Sequence, residues 1–288
     1  MERRTHRIVA NGLTHFVYDV GPEGGPAAVL LHGFPDTHHL WTPLAPALTA
    51  AGYRVIAPDM RGFGETDMAP TVADYDFVSG PMVDVLEILD ALGVDRAELV
   101  GHDLSAPVAW LLGAQRPDRF ASLSAISVGH TRAFIQAGVR QKLRSLYILV
   151  HQMRGLCEAL YRLNDWALIR SQASPDYPAD AVIDRLRPDG RITAALNWYR
   201  ANLSLDRVLS PPAEDAFGEE FVDIPAMGVW SEGDKYLTEE QMTASAAYVT
   251  PGKWRYERVE DASHWIPYDA PDRLSALLLS HWRGRSID

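Results

Sequence analysis

Gly101-His102-Asp103-Leu104-Ser105 has the form small-x-acid-x-small and lies between an apolar run, Glu98–Val100, and a helix-period stretch, Ala106–Gln115. A strand that turns sharply into a helix needs small residues on either side of the turn, and it presents the side chain at the apex to a substrate. Centred on Asp103, the pattern puts Gly101 and Ser105 at the small positions. Centred on Ser105, it would put Asp103 where a small residue is required, so the carboxylate is the candidate nucleophile. A carboxylate is ionised at neutral pH and attacks without a general base, which suits displacement at an sp³ carbon bearing a leaving group; amide or ester cleavage would favour serine or cysteine. Attack by Asp103 would leave an alkyl ester on the protein, and releasing it requires an activated water.

The base and the acid that orients it are sought later in the chain. Trp230-Ser231-Glu232-Gly233-Asp234-Lys235-Tyr236 follows one apolar strand signal, and Asp261-Ala262-Ser263-His264-Trp265 follows the next. The order nucleophile, acid, histidine suits a triad of Asp103, Asp234 and His264. Glu232 is the rival acid. His102, His130 and His151 are rival histidines; strand alternation points His102 away from the apex, and the other two fall in or near a helical segment. Asp36-Thr37-His38-His39 superficially suggests a metal, but no third ligand stands at helical or hairpin spacing, so rim residues and no metal are expected.

Positioning these groups takes a particular set of elements. Arg7–Ala10 and Leu13–Asp19 flank Asn11-Gly12, a hairpin-turn pair, so the chain opens with antiparallel strands. The runs Ala27–Leu31, Arg54–Ala57 and Glu98–Val100 read as strands buried in a parallel sheet, with the helix-period segment Met82–Leu92 among them. Beyond Gly129 helical periodicity takes over: Leu143, Leu146, Tyr147 and Val150, then Leu156, Cys157, Leu160 and Tyr161 after Gly155. After Pro211-Pro212, strand signals return at Ala226–Trp230 and Arg255–Val259, and Arg273–Trp282 closes the chain as an amphipathic helix. This pattern predicts an α/β core domain, residues 1–128 and 213–288, built on a mostly parallel twisted sheet with helices on both faces. Residues 129–212 form an inserted helical cap, too long for a loop.

Composition sets the company such a protein keeps. With 288 residues, 47% of them hydrophobic and 23% charged, the chain has ample core. A net charge of −11 with no basic stripe argues against nucleic acid and anionic membrane surfaces as partners. The single cysteine, Cys157, rules out an internal disulfide and fits a reducing cytoplasm, and the opening residues MERRTHRIVANG lack the apolar segment of an export signal.

Taken together, His32-Gly33-Phe34-Pro35 after one strand, Asp59-Met60-Arg61-Gly62-Phe63-Gly64 after the next, the aspartate turn, the helical insertion, and then Asp234 and His264 resemble the α/β-hydrolase superfamily over nearly the whole chain. The resemblance is strongest to its aspartate-nucleophile branch, the epoxide hydrolases and hydrolytic dehalogenases. It implies that the backbone N–H groups of Phe34 and Leu104 form an oxyanion hole, and that His32, Pro35, Trp198 and Trp265 surround the substrate pocket. Leu196-Asn197-Trp198-Tyr199-Arg200 is similar to the segment carrying one ring-opening tyrosine of epoxide hydrolases, and Tyr147, five residues before Gln152, matches the other. Two phenols converging on one oxygen would supply the acid for an opening epoxide.

The haloalkane branch places Trp after the nucleophile and Asn at the position of Phe34 as halide donors, and the fluoroacetate type places Arg after the nucleophile and Trp where Tyr147 stands. Leu104, Phe34 and Tyr147 depart from both. Near Ser127–Thr131, where one dehalogenase subfamily draws its acid, no carboxylate is found. Many epoxide hydrolases carry Trp-Gly where this chain has Leu104-Ser105, which bears on pocket shape. The expectation is a cofactor-free epoxide hydrolase acting on a small-molecule epoxide, with a homodimer compatible. The alternatives are a hydrolytic dehalogenase for haloalkanes or haloacids using the same Asp nucleophile, and a non-catalytic small-molecule-binding protein on the same scaffold.

Overall fold

A computed structural model describes residues 3–172, 174–204 and 221–283. Among these, eight strands form one sheet: β1 (Arg3–Ala10), β2 (Leu13–Val20), β3 (Ala27–Leu31), β4 (Arg54–Pro58), β5 (Ala97–His102), β6 (Phe120–Ile126), β7 (Ala226–Ser231) and β8 (Trp254–Val259). Their order is β1-β2-β4-β3-β5-β6-β7-β8. The first two join antiparallel, β2 pairs antiparallel with β4, and every later pairing is parallel. At the Asn11-Gly12 turn both residues have positive φ, 46° and 77°, the conformation a two-residue hairpin needs.

β3, β4, β5 and β7 are buried on both faces, as continuous apolar runs require. β1 reaches further back than its apolar residues suggest. Arg4 and His6 alternate inward there to meet Asp19, which is fully buried and also held by Arg54, so three cationic or hydrogen-bonding partners balance one carboxylate.

Strand β6 is absent from the sequence reading. Ser122 and Ser124 interrupt its apolar run, yet both are buried, and the Ser122 hydroxyl donates to the Glu98 carboxylate across the parallel register. A serine satisfied by a neighbouring strand packs like an apolar residue, and that neighbour is invisible to local pattern.

Three helices brace the sheet before the insertion: α1 (Ala45–Ala50), α2 (Val83–Ala91) and α3 (Ala106–Gln115). α3 is buried almost all round, so it shows no polar stripe. Between β6 and β7 the described residues form seven further helices, α4 (Thr131–Gln136), α5 (Val139–Arg144), α6 (Tyr147–His151), α7 (Leu156–Arg162), α8 (Ala167–Gln172), α9 (Ala179–Leu186) and α10 (Arg191–Asn202). The expected boundary at residues 212 and 213 and the Pro211-Pro212 break lie outside the described residues. The chain closes with a helix over Pro271–Arg283.

The apolar stripe from Leu143 to Val150 is divided, because α5 ends at Arg144 and α6 begins at Tyr147. Leu143 and Leu146 are 62% and 52% exposed. Helical periodicity in this segment marks the wall and rim of a cavity rather than a core-facing stripe.

Candidate active site

Asp103 is the first residue after β5, at φ 51°, a left-handed conformation unusual for a residue with a side chain. The strain is sustained by close packing on both sides. A Cβ at Gly101 would lie 2.7 Å from the Ala109 Cβ and from the Ser105 carbonyl, so strand and helix approach only if this residue is glycine. The Ser105 hydroxyl is turned away from the apex and donates to the His32 carbonyl, which removes it from consideration as nucleophile.

The loop after β3 completes one side of the site. The Met60 N–H donates to His32 Nε2 at 2.9 Å, so that nitrogen is the acceptor and Nδ1–H donates to the Gly33 carbonyl at 3.0 Å. Burial lowers the His32 pKa to about 4, so the ring stays neutral. With the loop fixed, the Phe34 N–H donates to Asp103 Oδ1 at 2.8 Å, and the Leu104 N–H is directed at the same carboxylate. The Phe34-Pro35 peptide is cis.

On the opposite side stand the candidate acid and histidine. Asp234 follows β7 and is buried; its Oδ1 accepts from the N–H groups of Tyr236 and Leu237 at 2.8 and 2.9 Å. Its Oδ2 accepts from His264 Nδ1 at 2.8 Å, leaving Nε2 at 3.4 Å from Asp103 Oδ2. The rivals lie elsewhere. Glu232 is exposed and pairs with Arg258, His102 donates from Nε2 to the His264 carbonyl from behind, and His130 stacks on Tyr248.

Burial opposes charge on His264, yet the Asp234 carboxylate and the Asp103 hydrogen bond outweigh it and push its pKa up to about 10. For Asp103 burial acts to raise the pKa, and the His264 hydrogen bond and charge, with help from His102 and the Leu104 N–H, hold it below the usual carboxylate range. The resting site is therefore an imidazolium between two carboxylates.

Two phenols face this group from the insertion. Tyr147 opens α6 and Tyr199 lies on α10, their rings edge to face with centroids 6.1 Å apart. Gln152 ties the two helices together, donating to the carbonyls of Ile148, Tyr199 and Leu203. Arg200, paired with buried Glu158 at 2.8 Å and donating to the His151 carbonyl, fixes the rotation of α10. Burial, and next the Asp103 charge, raise both phenol pKa values well above 10, so both hydroxyls keep their protons at neutral pH.

Asp103, Tyr147 and Tyr199 lie where two cavities meet, one of about 60 Å³ and one of about 320 Å³. Trp265 walls the smaller, its indole N–H held by buried Asp36 at 2.9 Å. His32, Pro35 and Trp198 were expected around the pocket, but none lines either cavity. His32 is spent on the loop, and fully buried Trp198 donates to the Arg61 carbonyl, its ring packed near Phe63 and Phe77. Both are aromatic residues beside functional ones, and sequence adjacency on a loop or helix does not make them share a face.

Tyr161 and Tyr236, which the sequence did not single out, and His151, weighed there only as a rival histidine, line the smaller cavity, with His151 Nε2 and the Tyr161 hydroxyl 2.9 Å apart. The spacing of aromatics on the short helices α6 and α7 carries no signal that separates them from packing residues. Asp36, His38 and His39 do not converge on a cation site; His38 Nδ1 is 2.7 Å from Asp59 instead, and no metal-holding group of three or more such residues occurs among the described residues.

Comparison with known proteins agrees with this architecture. Residues 26–271 match the family model described as alpha/beta hydrolase fold. An epoxide hydrolase from Caballeronia sordidicola is 42% identical over 97% of this chain and 94% of its own length. The AB hydrolase superfamily protein YfhM of Bacillus subtilis is 30% identical, covering 96% of this chain and 97% of that one. Among solved structures, epoxide hydrolase A from Mycobacterium thermoresistibile superposes with a TM-score of 0.80 at 24% identity, covering 100% of both chains, a likeness of fold. With its eight-stranded sheet, its acid at the strained turn after β5, and its helical insertion before β7, this chain belongs to the α/β-hydrolase fold family.

Proposed function

We propose that this protein is an epoxide hydrolase that converts an organic epoxide to a vicinal diol through an ester on Asp103. The observation that carries this reading is the arrangement around one carboxylate. Oδ1 accepts from the Phe34 amide, the Leu104 amide is directed at the same carboxylate, Oδ2 faces His264, and two protonated phenols share the cavity. Asp103 Oδ2 attacks a ring carbon, the C–O bond breaks, and the developing alkoxide takes its proton from the Tyr147 and Tyr199 hydroxyls.

Esterification neutralises Asp103, removing the charge and hydrogen bond that hold His264 protonated. Its pKa falls, and the imidazolium gives up its proton to the tyrosinate left by ring opening, which restores the phenol and leaves a neutral ring able to deprotonate water. Hydroxide then adds to the ester carbonyl, whose oxygen already accepts from the Phe34 N–H with the Leu104 N–H directed at the same group, and the tetrahedral intermediate collapses to diol and carboxylate. The relatives' names support the same reaction class, with a small molecule as substrate. We place the protein in the cytoplasm, a setting supported by its single, buried cysteine. No helix among the described residues is long and apolar enough to cross a membrane.

One turnover in ¹⁸O-water with enzyme in excess tests the pathway. The isotope is expected in the Asp103 carboxylate and not in the first equivalent of diol; label in that diol would mean direct attack by water and would overturn the ester route.

A substitution beside the nucleophile should be nearly as damaging as one at it. A Cβ at position 33 would sit 2.5 Å from Asp103 Oδ1. Gly33→Ala is therefore expected to lower kcat/KM for epoxides by roughly 100-fold, the cost of misplacing a reacting group by about 1 Å. An unchanged kcat/KM would show that the loop yields freely.

A further inference from the structure

The two cavities that meet at Asp103 differ in size and in what else they contain. The smaller, about 60 Å³, is walled by His264 together with the phenols and rings of Tyr161, Tyr236 and Trp265. The larger, about 320 Å³, is walled by apolar groups, Phe77, Leu104, Val128, Phe134, Ile148 and Leu203 among them. His264 belongs to the smaller wall alone. The water it activates must therefore occupy the smaller chamber, between Nε2 and the Asp103 ester. At about 10–15 Å³ per water-sized sphere, the smaller chamber holds on the order of four to six such spheres, enough for the water and a methyl-sized group. The larger chamber reaches the volume at which pockets enclose whole organic ligands, about 300 Å³ upward. Leu104 contributes to that space, and Leu146 and Leu149, both partly exposed, form its outer rim.

We propose that the substrates are unsymmetrical epoxides. One carbon of the ring carries a long or bulky apolar group that lies in the larger chamber. The other carries hydrogen or a short substituent facing the smaller chamber. A second bulky group there would displace the hydrolytic water and block release of the ester. This inference rests on the epoxide hydrolase reading and specifies its substrate class.

The test is kcat/KM of the full-length enzyme for 1,2-epoxybutane, 1,2-epoxyhexane and 1,2-epoxyoctane against trans-stilbene oxide, which has a phenyl on each ring carbon. Each added methylene is expected to raise kcat/KM about fourfold, as burial of a methylene in an apolar chamber would. trans-Stilbene oxide is expected at least 100-fold below 1,2-epoxyoctane. A flat chain-length profile, or stilbene oxide turned over as well as epoxyoctane, removes the inference and leaves the reaction class standing; no turnover of any epoxide removes both. Val128→Trp, which narrows the larger chamber, should lower kcat/KM for 1,2-epoxyoctane at least tenfold more than it lowers kcat/KM for 1,2-epoxypropane. Equal loss on both substrates in a folded variant would overturn the assignment, and the wild-type panel decides the matter if the variant fails to fold.

Discussion

His264→Gln is expected to react once with an epoxide and stall, holding the substrate as an ester on Asp103. Glutamine keeps an N–H for Asp234 Oδ2, so this buried carboxylate is not left without a donor, but it cannot take a proton from water. Alkylation should survive at a reduced rate. Asp103 loses the hydrogen bond and charge of His264 yet keeps the Phe34 and Leu104 amides. Steady-state kcat is expected to fall by roughly 10³- to 10⁴-fold, the upper range for loss of a general base. Intact-protein mass spectrometry should show the chain heavier by the full mass of the epoxide, with stoichiometry approaching one. Wild-type steady-state turnover in this variant would remove His264 from the reaction, and a stalled variant carrying no adduct would remove Asp103 as nucleophile.

The second large effect concerns ring opening. Tyr147→Phe or Tyr199→Phe alone should slow alkylation of Asp103 by about 10- to 100-fold, because the remaining hydroxyl still donates to the alkoxide. Together they should slow it by roughly 10⁴-fold, in the range for losing two donors aimed at a developing charge. No protein partner for either hydroxyl occurs among the described residues, so neither substitution strands a buried acceptor. The phenols also respond to the step they assist. The Asp103 charge contributes to their raised pKa, and that charge disappears as the C–O bond to the carboxylate forms. Their acidity thus increases as the alkoxide appears. Rapid-quench measurement of ester formation checks this, and a double variant alkylated at the wild-type rate would show that the epoxide oxygen finds its proton elsewhere.

Much of the frame was legible because it rests on local pattern. The Asn11-Gly12 hairpin, the apolar runs of β3, β4, β5 and β7, and the small-x-acid-x-small turn each declare themselves within a few residues. β6 did not, since its two serines are made acceptable by burial and, for Ser122, by a carboxylate on a different strand. The insertion was legible as helical, but the direction its apolar residues face was not. Leu146 and Leu149 answer to a cavity, and a cavity has no sequence period.

From the residues alone came the reading of Asp103 as the attacking group, with Asp234 and His264 proposed as its acid and base, because the conformation at Asp103 demands small neighbours and an ionised carboxylate suits displacement at carbon. Tertiary structure alone decided what those groups can reach. It brought Asp234, His264 and the phenols, from segments between 44 and 161 residues away in the chain (147 − 103 and 264 − 103), around one carboxylate. It turned Trp198 into the packing and Tyr161 into the cavity wall, and it gave the two chambers their unequal volumes. Cavity shape is set by the packing of many distant side chains at once, so no short stretch of the chain contains it.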